Sequence, residues 1–299
     1  MVLTNSLINR NAKFKLAPVN NLIIGHSHSE CAFNDSIINN FKNLSALGES
    51  YFYSYQKLKK VLPQNKKIKN VFIEFSNNQI TKQMDYWTWD DKHLLSRSRY
   101  LPFIDIGDLK LLWSKNPSGF ITSSSKSFRN NTMNVLMFRY NYKNKLGGYF
   151  WLNRFKTDSL VANLKKDNLK LSNKSDSIST KNIEYLQKIV SLCKTNKVNV
   201  FFIRSPQHPL LPTRKNEKQF LKIKSEMFKN ITFLDFNNFP VTNNEFGDLG
   251  HLNYLGAKKF SLWFNTLLKK ELLLKNNKEE FVIKEIDKLR DKNKDFNRY

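Results

Sequence analysis

Four short runs, NLIIG (21–25), NVFIEF (70–75), VNVFFIRS (198–205) and ITFLDF (231–236), are apolar almost throughout instead of alternating with polar residues. A strand that is apolar on both faces has to be covered on both, as in a parallel sheet sandwiched between helix layers. A weaker run, KNLSAL (42–47), predicts a fifth strand. Helical apolar spacing occupies the stretches between: CAFNDSIINNF (31–41), SYFYSYQKLKKVL (50–62), IEYLQKIVSLCKTN (183–196), KQFLKIKSEMFK (218–229) and LGAKKFSLWFNTLLKKELL (255–273). Alternating strands and helices predict one α/β domain over residues 1–299, a three-layer α/β/α fold with a flavodoxin-like parallel sheet of about five strands.

The alternation breaks between about 79 and 178. That stretch holds Trp87, Trp89, Trp113 and Trp151, four of the five tryptophans, among Ser-rich and Asn-rich spacers. It reads as a large, mostly helical insertion between the third and fourth strands, in which the YWTW run (86–89) either stacks against a sugar or builds a local core. Burial is the default use of such side chains. The tail, 275–299, is dense in charge and predicts a surface helix.

Lys and Arg number 50 against 25 Asp and Glu, a net charge of +25. This balance suits anionic polysaccharide or a membrane surface. Nucleic acid is not expected, since no RNP motif, zinc-finger spacing or glycine-arginine tract is present. Cys31 and Cys193 lie far apart and form no CxxC, so neither a disulfide framework nor a metal or cofactor site is expected. No run of about 18 apolar residues predicts a transmembrane helix. The first residues, MVLTNSLINRNAKFK, have no apolar h-region and do not read as a signal peptide. These features leave the compartment open between cytoplasm and cell envelope.

Chemistry concentrates where the first strand ends. Gly25-His26-Ser27-His28-Ser29 opens from that strand into a helix. In an open parallel sheet ligands bind beyond the carboxyl ends of the strands. A serine there lies near backbone N–H groups that can hold an oxyanion, but it needs a base. His26 and His28 are adjacent, and His251 lies far downstream in FGDLGHLNYLGAKKFS (246–261). Asp248 precedes His251 by three residues, close enough for its carboxylate to fix the imidazole tautomer. Ser29 is the expected cap of the following helix.

These residues resemble the blocks of the SGNH (GDSL-type) hydrolase family. Gly25-His26-Ser27 matches the first block, with His26 in place of its aspartate, and Asp248-Leu249-Gly250-His251 matches the last. The glycine of the second block falls on Gly48 in NLSALGESY. The oxyanion asparagine of the third falls on Asn78 in Ser76-Asn77-Asn78-Gln79, or on Asn77 beside it, although that block's glycine and aspartate are missing here. The resemblance covers roughly 20–80 and 180–270. It implies Ser27 as nucleophile, His251 as base, Asp248 as its orienting carboxylate, and an oxyanion hole from the Ser27 and Gly48 N–H groups with Asn78. The activity implied is an ester hydrolase, or an O-acyltransferase, acting on acyl groups of a carbohydrate or another small ester. A catalytically silent, polysaccharide-binding member of the fold is the alternative. His28, Arg204 and His208 are candidate substrate contacts.

Overall fold

The structure is a computed structural model and describes residues 2–166 and 177–296. Residues 167–176 of the expected insertion and 297–299 of the expected tail lie outside the described residues. Five strands, β1 (Asn21–Ile24), β2 (Phe41–Asn43), β3 (Asn70–Glu74), β4 (Asn199–Arg204) and β5 (Thr232–Asp235), make one all-parallel sheet in the order β2-β1-β3-β4-β5. The order reverses between β1 and β3, so a crevice opens at their carboxyl ends. The opposite edge is tied by asparagines: Asn70 donates to Asn21 (2.8 Å) and Asn199 to Asn70 (3.0 Å), at registered positions of three adjacent strands.

Alternate residues of each strand enter separate cores, as the two-residue period requires. Leu22, Ile24, Val71, Ile73 and Phe202 face one layer, built from α1 (Val2–Asn11), α3 (Tyr51–Gln64), α9 (Thr180–Thr195) and α10 (Glu217–Met227). Ile23, Phe72, Phe201 and Ile203 face the other, built from α2 (Ser27–Ala32), α11 (Tyr254–Lys269) and α12 (Lys278–Phe296). Between β3 and β4 lie α4 (Gln83–Trp89), α5 (Asp91–Ser96), α6 (Ile106–Lys115), α7 (Pro117–Leu136) and α8 (Thr157–Lys166). Leu94, Tyr100, Phe103 and Leu112 of this insertion enter the first core directly. Trp89 packs on Phe52 (5.4 Å between rings), and both Trp87 and Trp89 are partly covered.

Three local expectations are corrected. The helix expected over 31–41 is α2, which begins at Ser27 and stops at Ala32. Beyond it Asn34 accepts the Ser36 N–H (3.0 Å), an Asx turn that competes with helix. The strand expected over 42–47 ends at Asn43, whose amide donates to the Ser29 and Phe33 carbonyls and accepts from Ser45 N–H. The charged tail helix is not all surface: Val282 and Ile286 are buried, and Glu279 accepts the Phe233 N–H of β5 (2.7 Å). Among the described residues no helix is long and apolar enough to cross a membrane.

Candidate active site

β1 delivers Gly25 to a point where there is no room for a side chain, since a Cβ would sit 2.4 Å from Glu74 Cβ and 2.6 Å from Ser29 Oγ. The chain then turns into α2 with His26, and not the expected Ser29, as its N-cap: His26 Nδ1 accepts the His28 N–H (3.3 Å). Ser29 is buried instead and donates to Ser45 (2.9 Å). Ser27 is therefore the first helical residue, half-buried at the rim of a cavity of about 290 Å³.

Across the crevice, the 246–253 turn is held by Asn253, which caps α11 through the Leu255 and Gly256 N–H groups (3.0 and 3.1 Å). Within that turn Asp248 Oδ1 accepts the backbone N–H of Gly250 (2.9 Å) and His251 (3.1 Å) and contacts His251 Nδ1 (2.7 Å). His251 Nε2 lies 2.7 Å from Ser27 Oγ. A residue 224 positions away in sequence thus completes a continuous Ser-His-Asp relay. Burial works against the Asp248 charge, but the His251 hydrogen bond, its positive charge and the Gly250 N–H outweigh it and hold the carboxyl at about 2. Asp248 is ionised across the working pH range.

The second oxygen of Asp248 is taken by Arg154, at 2.5 Å. Arg154 belongs to a strap, residues 147–156, that the sequence did not mark as part of the site. The strap is fastened by Gly148 N–H to Ser45 O, Phe150 N–H to Glu30 O and Lys156 N–H to Gly247 O (2.9–3.0 Å), and Tyr254 N–H donates to Leu152 O (3.0 Å). Its Phe150 and Leu152 line the cavity beside Ser27, together with Cys31 and Leu47. Trp151, 59 % exposed, stacks on Tyr254 with ring centroids 4.4 Å apart and planes at 12°.

Beneath the relay lie two buried, neutral histidines. Burial and then the His251 charge push His26 down to about 3; burial and the neighbouring His26 and His251 drive His28 well below its ordinary value. The His28 ring meets the His251 ring edge-on at 5.1 Å and its Nδ1 pairs with Gln207 (2.9 Å). His28 packs against His251 and is not among the cavity-lining residues. His26 Nε2 pairs with Ser76 Oγ (3.1 Å), which donates to Asn78 Oδ1 (2.8 Å). The chain of contacts fixes the Asn78 amide by its acceptor and keeps its Nδ2–H donors for other partners. Ligand atoms of His26, His28 and Glu74 lie within 4.8 Å of one another, a geometry that could hold a metal. Both His26 nitrogens, His28 Nδ1 and both Glu74 oxygens are already spent on protein partners, Glu74 on Ser205 N–H and Oγ–H.

Gly48 adopts φ +60°, a left-handed conformation, and the Trp87 indole lies where a Cβ would be, at 2.1 Å. Both facts demand glycine. Asn78 lies after β3, its Oδ1 held by Ser76, and Gly48 lies after β2. Two expected substrate contacts are corrected. Arg204 is buried and spends its guanidinium on Asp235 (2.5 Å), Glu217 (2.8 Å) and Asn77 (3.0 Å), which also occupies Asn77. His208 closes a turn, pairing with Asn243 (3.1 Å) and accepting the Leu210 N–H (3.2 Å).

Residues 115–273 match the profile of an uncharacterised family. The chain belongs to that family. No curated protein matches it. Among solved structures it is similar to one from Streptococcus pneumonia provisionally named a platelet activating factor, at 10 % identity and TM-score 0.42, covering 90 % of this chain and 91 % of that one. A structure from Bacteroides fragilis provisionally named an acylhydrolase matches at 11 % identity and TM-score 0.36, covering 89 % and 94 %.

Proposed function

We propose that the protein is a serine ester hydrolase of the SGNH type that removes or transfers O-acyl groups of a carbohydrate. One observation carries the reading: Ser27 Oγ, His251 and Asp248 form an unbroken relay with two contacts of 2.7 Å, at the carboxyl edge of a parallel sheet. Ser27 attacks the ester carbonyl carbon while His251 Nε2 takes its proton. Asp248 holds His251 Nδ1–H and stabilises the imidazolium. The tetrahedral oxyanion is received by the Ser27 and Gly48 N–H groups and Asn78 Nδ2. His251 then returns the proton to the leaving alcohol, and the acyl group on Ser27 passes to water or to a sugar hydroxyl.

The small cavity walled by Leu47, Phe150 and Leu152 accommodates a short acyl chain. Exposed Trp151, stacked on half-buried Tyr254 beside Phe150 and Leu152, offers a flat aromatic face of the kind that covers a sugar ring, and this supports a carbohydrate acceptor. Reaction with a fluorophosphonate probe tests the nucleophile: labelling present in the wild type and lost in Ser27→Ala supports it. An unlabelled protein between pH 6 and 9, or p-nitrophenyl acetate cleavage undiminished by His251→Ala, refutes it.

A further inference from the structure

We infer that a second cavity beside the nucleophile is a subsite for an oxyanion, a phosphate, sulfate or carboxylate, carried on the alcohol side of the ester. This inference rests on the esterase reading for its position in the reaction, not for its existence. The cavity has a volume of about 540 Å³ and shares Glu30 and Leu47 with the smaller cavity at Ser27, so the two are adjacent. The small cavity takes the acyl chain; the larger one takes the alcohol. Its wall is the Trp87 indole that lies against Gly48, which places an aromatic face next to an oxyanion donor.

Three cations line it: Arg97, Arg99 and Lys145. Arg97 is 7 % exposed and donates to the Leu47 carbonyl, yet its Nε has no hydrogen-bond partner among the described residues, and neither does Arg99 Nε. Buried guanidinium N–H groups are seldom left unpaired, because each costs its desolvation. The guanidiniums are fixed on aromatic rings, Arg99 over Tyr100 (5.0 Å) and Arg97 over Tyr53 (5.8 Å), so they are preorganised and not loosely solvated.

Glu49 and Glu30 act on Arg99 but do not balance three cations. Glu49 is spent on Lys57 (2.7 Å), Ser54 (2.9 Å) and Tyr100 (3.0 Å). Glu30, the acid that lines the cavity, is raised to about 7 by burial and by the Glu49 charge, against the opposing pull of Lys57 and Arg97. Lys145 is lowered by burial and by the crowding of Arg139 and Arg99. Three cations against one lining carboxyl leave the cavity with excess positive charge, which a bound oxyanion offsets.

The test compares three esters on the purified full-length protein: 4-methylphenyl acetate, 4-acetoxyphenyl phosphate and 4-acetoxybenzoate. The readout is the ratio of kcat/KM for each anionic ester to that of the neutral one. The ratio falls about 10-fold or more in Arg99→Gln/Lys145→Gln and rises in Glu30→Gln. The phosphate or the carboxylate showing the larger ratio identifies the anion. In parallel, inorganic phosphate is titrated calorimetrically into wild type and the double variant at low and at 0.5 M NaCl. Ratios and phosphate affinity that ignore both substitutions overturn the subsite. If no ester is cleaved but phosphate binding still depends on Arg99 and Lys145, the subsite stands and the esterase reading falls.

Discussion

The two walls of the crevice are built by different logics. The sheet wall, from the ends of β1, β3 and β4 and the turn before α11, is largely self-paired: His26 bonds Ser76 and Ser76 bonds Asn78, Glu74 takes both Ser205 donors, and Asp248 takes the N–H groups of its own turn, although Gln207 Oε1 has no partner among the described residues. The wall from the β3–β4 insertion and the strap lines its cavity with Arg97, Arg99 and Lys145 and leaves Trp151 and Phe150 in solvent. Such pairing fixes geometry, which a proton relay requires within tenths of an ångström. Cations and aromatic faces open to a cavity or to solvent are groups that a ligand can still pair with. On the proposed reading the sheet wall serves chemistry and the insertion wall serves substrate choice.

The sharpest way to break that division is Asp248→Asn. The amide keeps the turn but no longer accepts from His251 Nδ1–H with a full charge, which favours the wrong tautomer. By analogy with triads elsewhere, kcat falls about 10⁴-fold while KM for the ester moves little. Steady-state kinetics on p-nitrophenyl acetate check this, and a loss confined to KM would move Asp248 to the recognition side. Asn78→Ala follows, with a loss of about 10²–10³ in kcat if its Nδ2 meets the oxyanion.

The same division explains what was readable in the chain. Continuous apolar runs gave the strands of the sheet because burial on both faces leaves a local signature, and Gly25, Ser27, Asp248 and His251 stand out because turn and relay chemistry restrict residue type. Asn43 and Asn34 hid the end of β2 and of α2, since their side chains act on backbone groups whose positions only folding determines. Arg204 looked like a ligand for an anion because a lone arginine after a strand carries no mark of its partners. Asp235 and Glu217, 31 and 13 residues away, are recruited by β5 and α10. Arg154 was invisible for the converse reason: nothing near NRFK announces a carboxylate 94 residues on.

Arg154 and Arg204 separate the two walls again. Arg204→Ala leaves Asp235 and Glu217 without their buried cation and costs about 3–5 kcal/mol of stability, measured by urea unfolding. Arg154→Ala removes a half-exposed guanidinium from Asp248, which keeps its Gly250, His251 N–H and imidazole partners, and leaves stability nearly unchanged. It lowers kcat about 10-fold, the loss of one charge-assisted hydrogen bond on the relay. If Arg154→Ala unfolds the protein at lower urea while sparing kcat, the strap is a brace for the fold and has no part in catalysis.

His26 carries the smallest effect and the most specific one. Its Nε2–H orients Ser76, and Ser76 orients Asn78, so His26→Ala lowers kcat only several-fold, through a loosened amide; Ser76→Ala does the same. Stability adds a signature that a loosened loop would lack. Burial, aided by the His251 charge, holds folded His26 at about 3, whereas an unfolded histidine titrates near its ordinary 6.5. Between those values the unfolded chain binds a proton that the folded chain refuses, so stability is complete above pH 6.5 and is lost as pH falls toward 3. From pH 7 to pH 5 this one group removes about 2 kcal/mol. The buried Glu74 carboxyl, raised to about 7 by burial, runs the other way and is lost as pH rises from 4.5 to 7, so only the difference between variant and wild type isolates His26. Urea midpoints at pH 7 and pH 5 measure it: His26→Ala narrows the gap between the two pH values by about 2 kcal/mol. An unchanged gap means that His26 already carries a proton in the fold, and its nitrogens then cannot accept the His28 N–H and donate to Ser76 as the site requires.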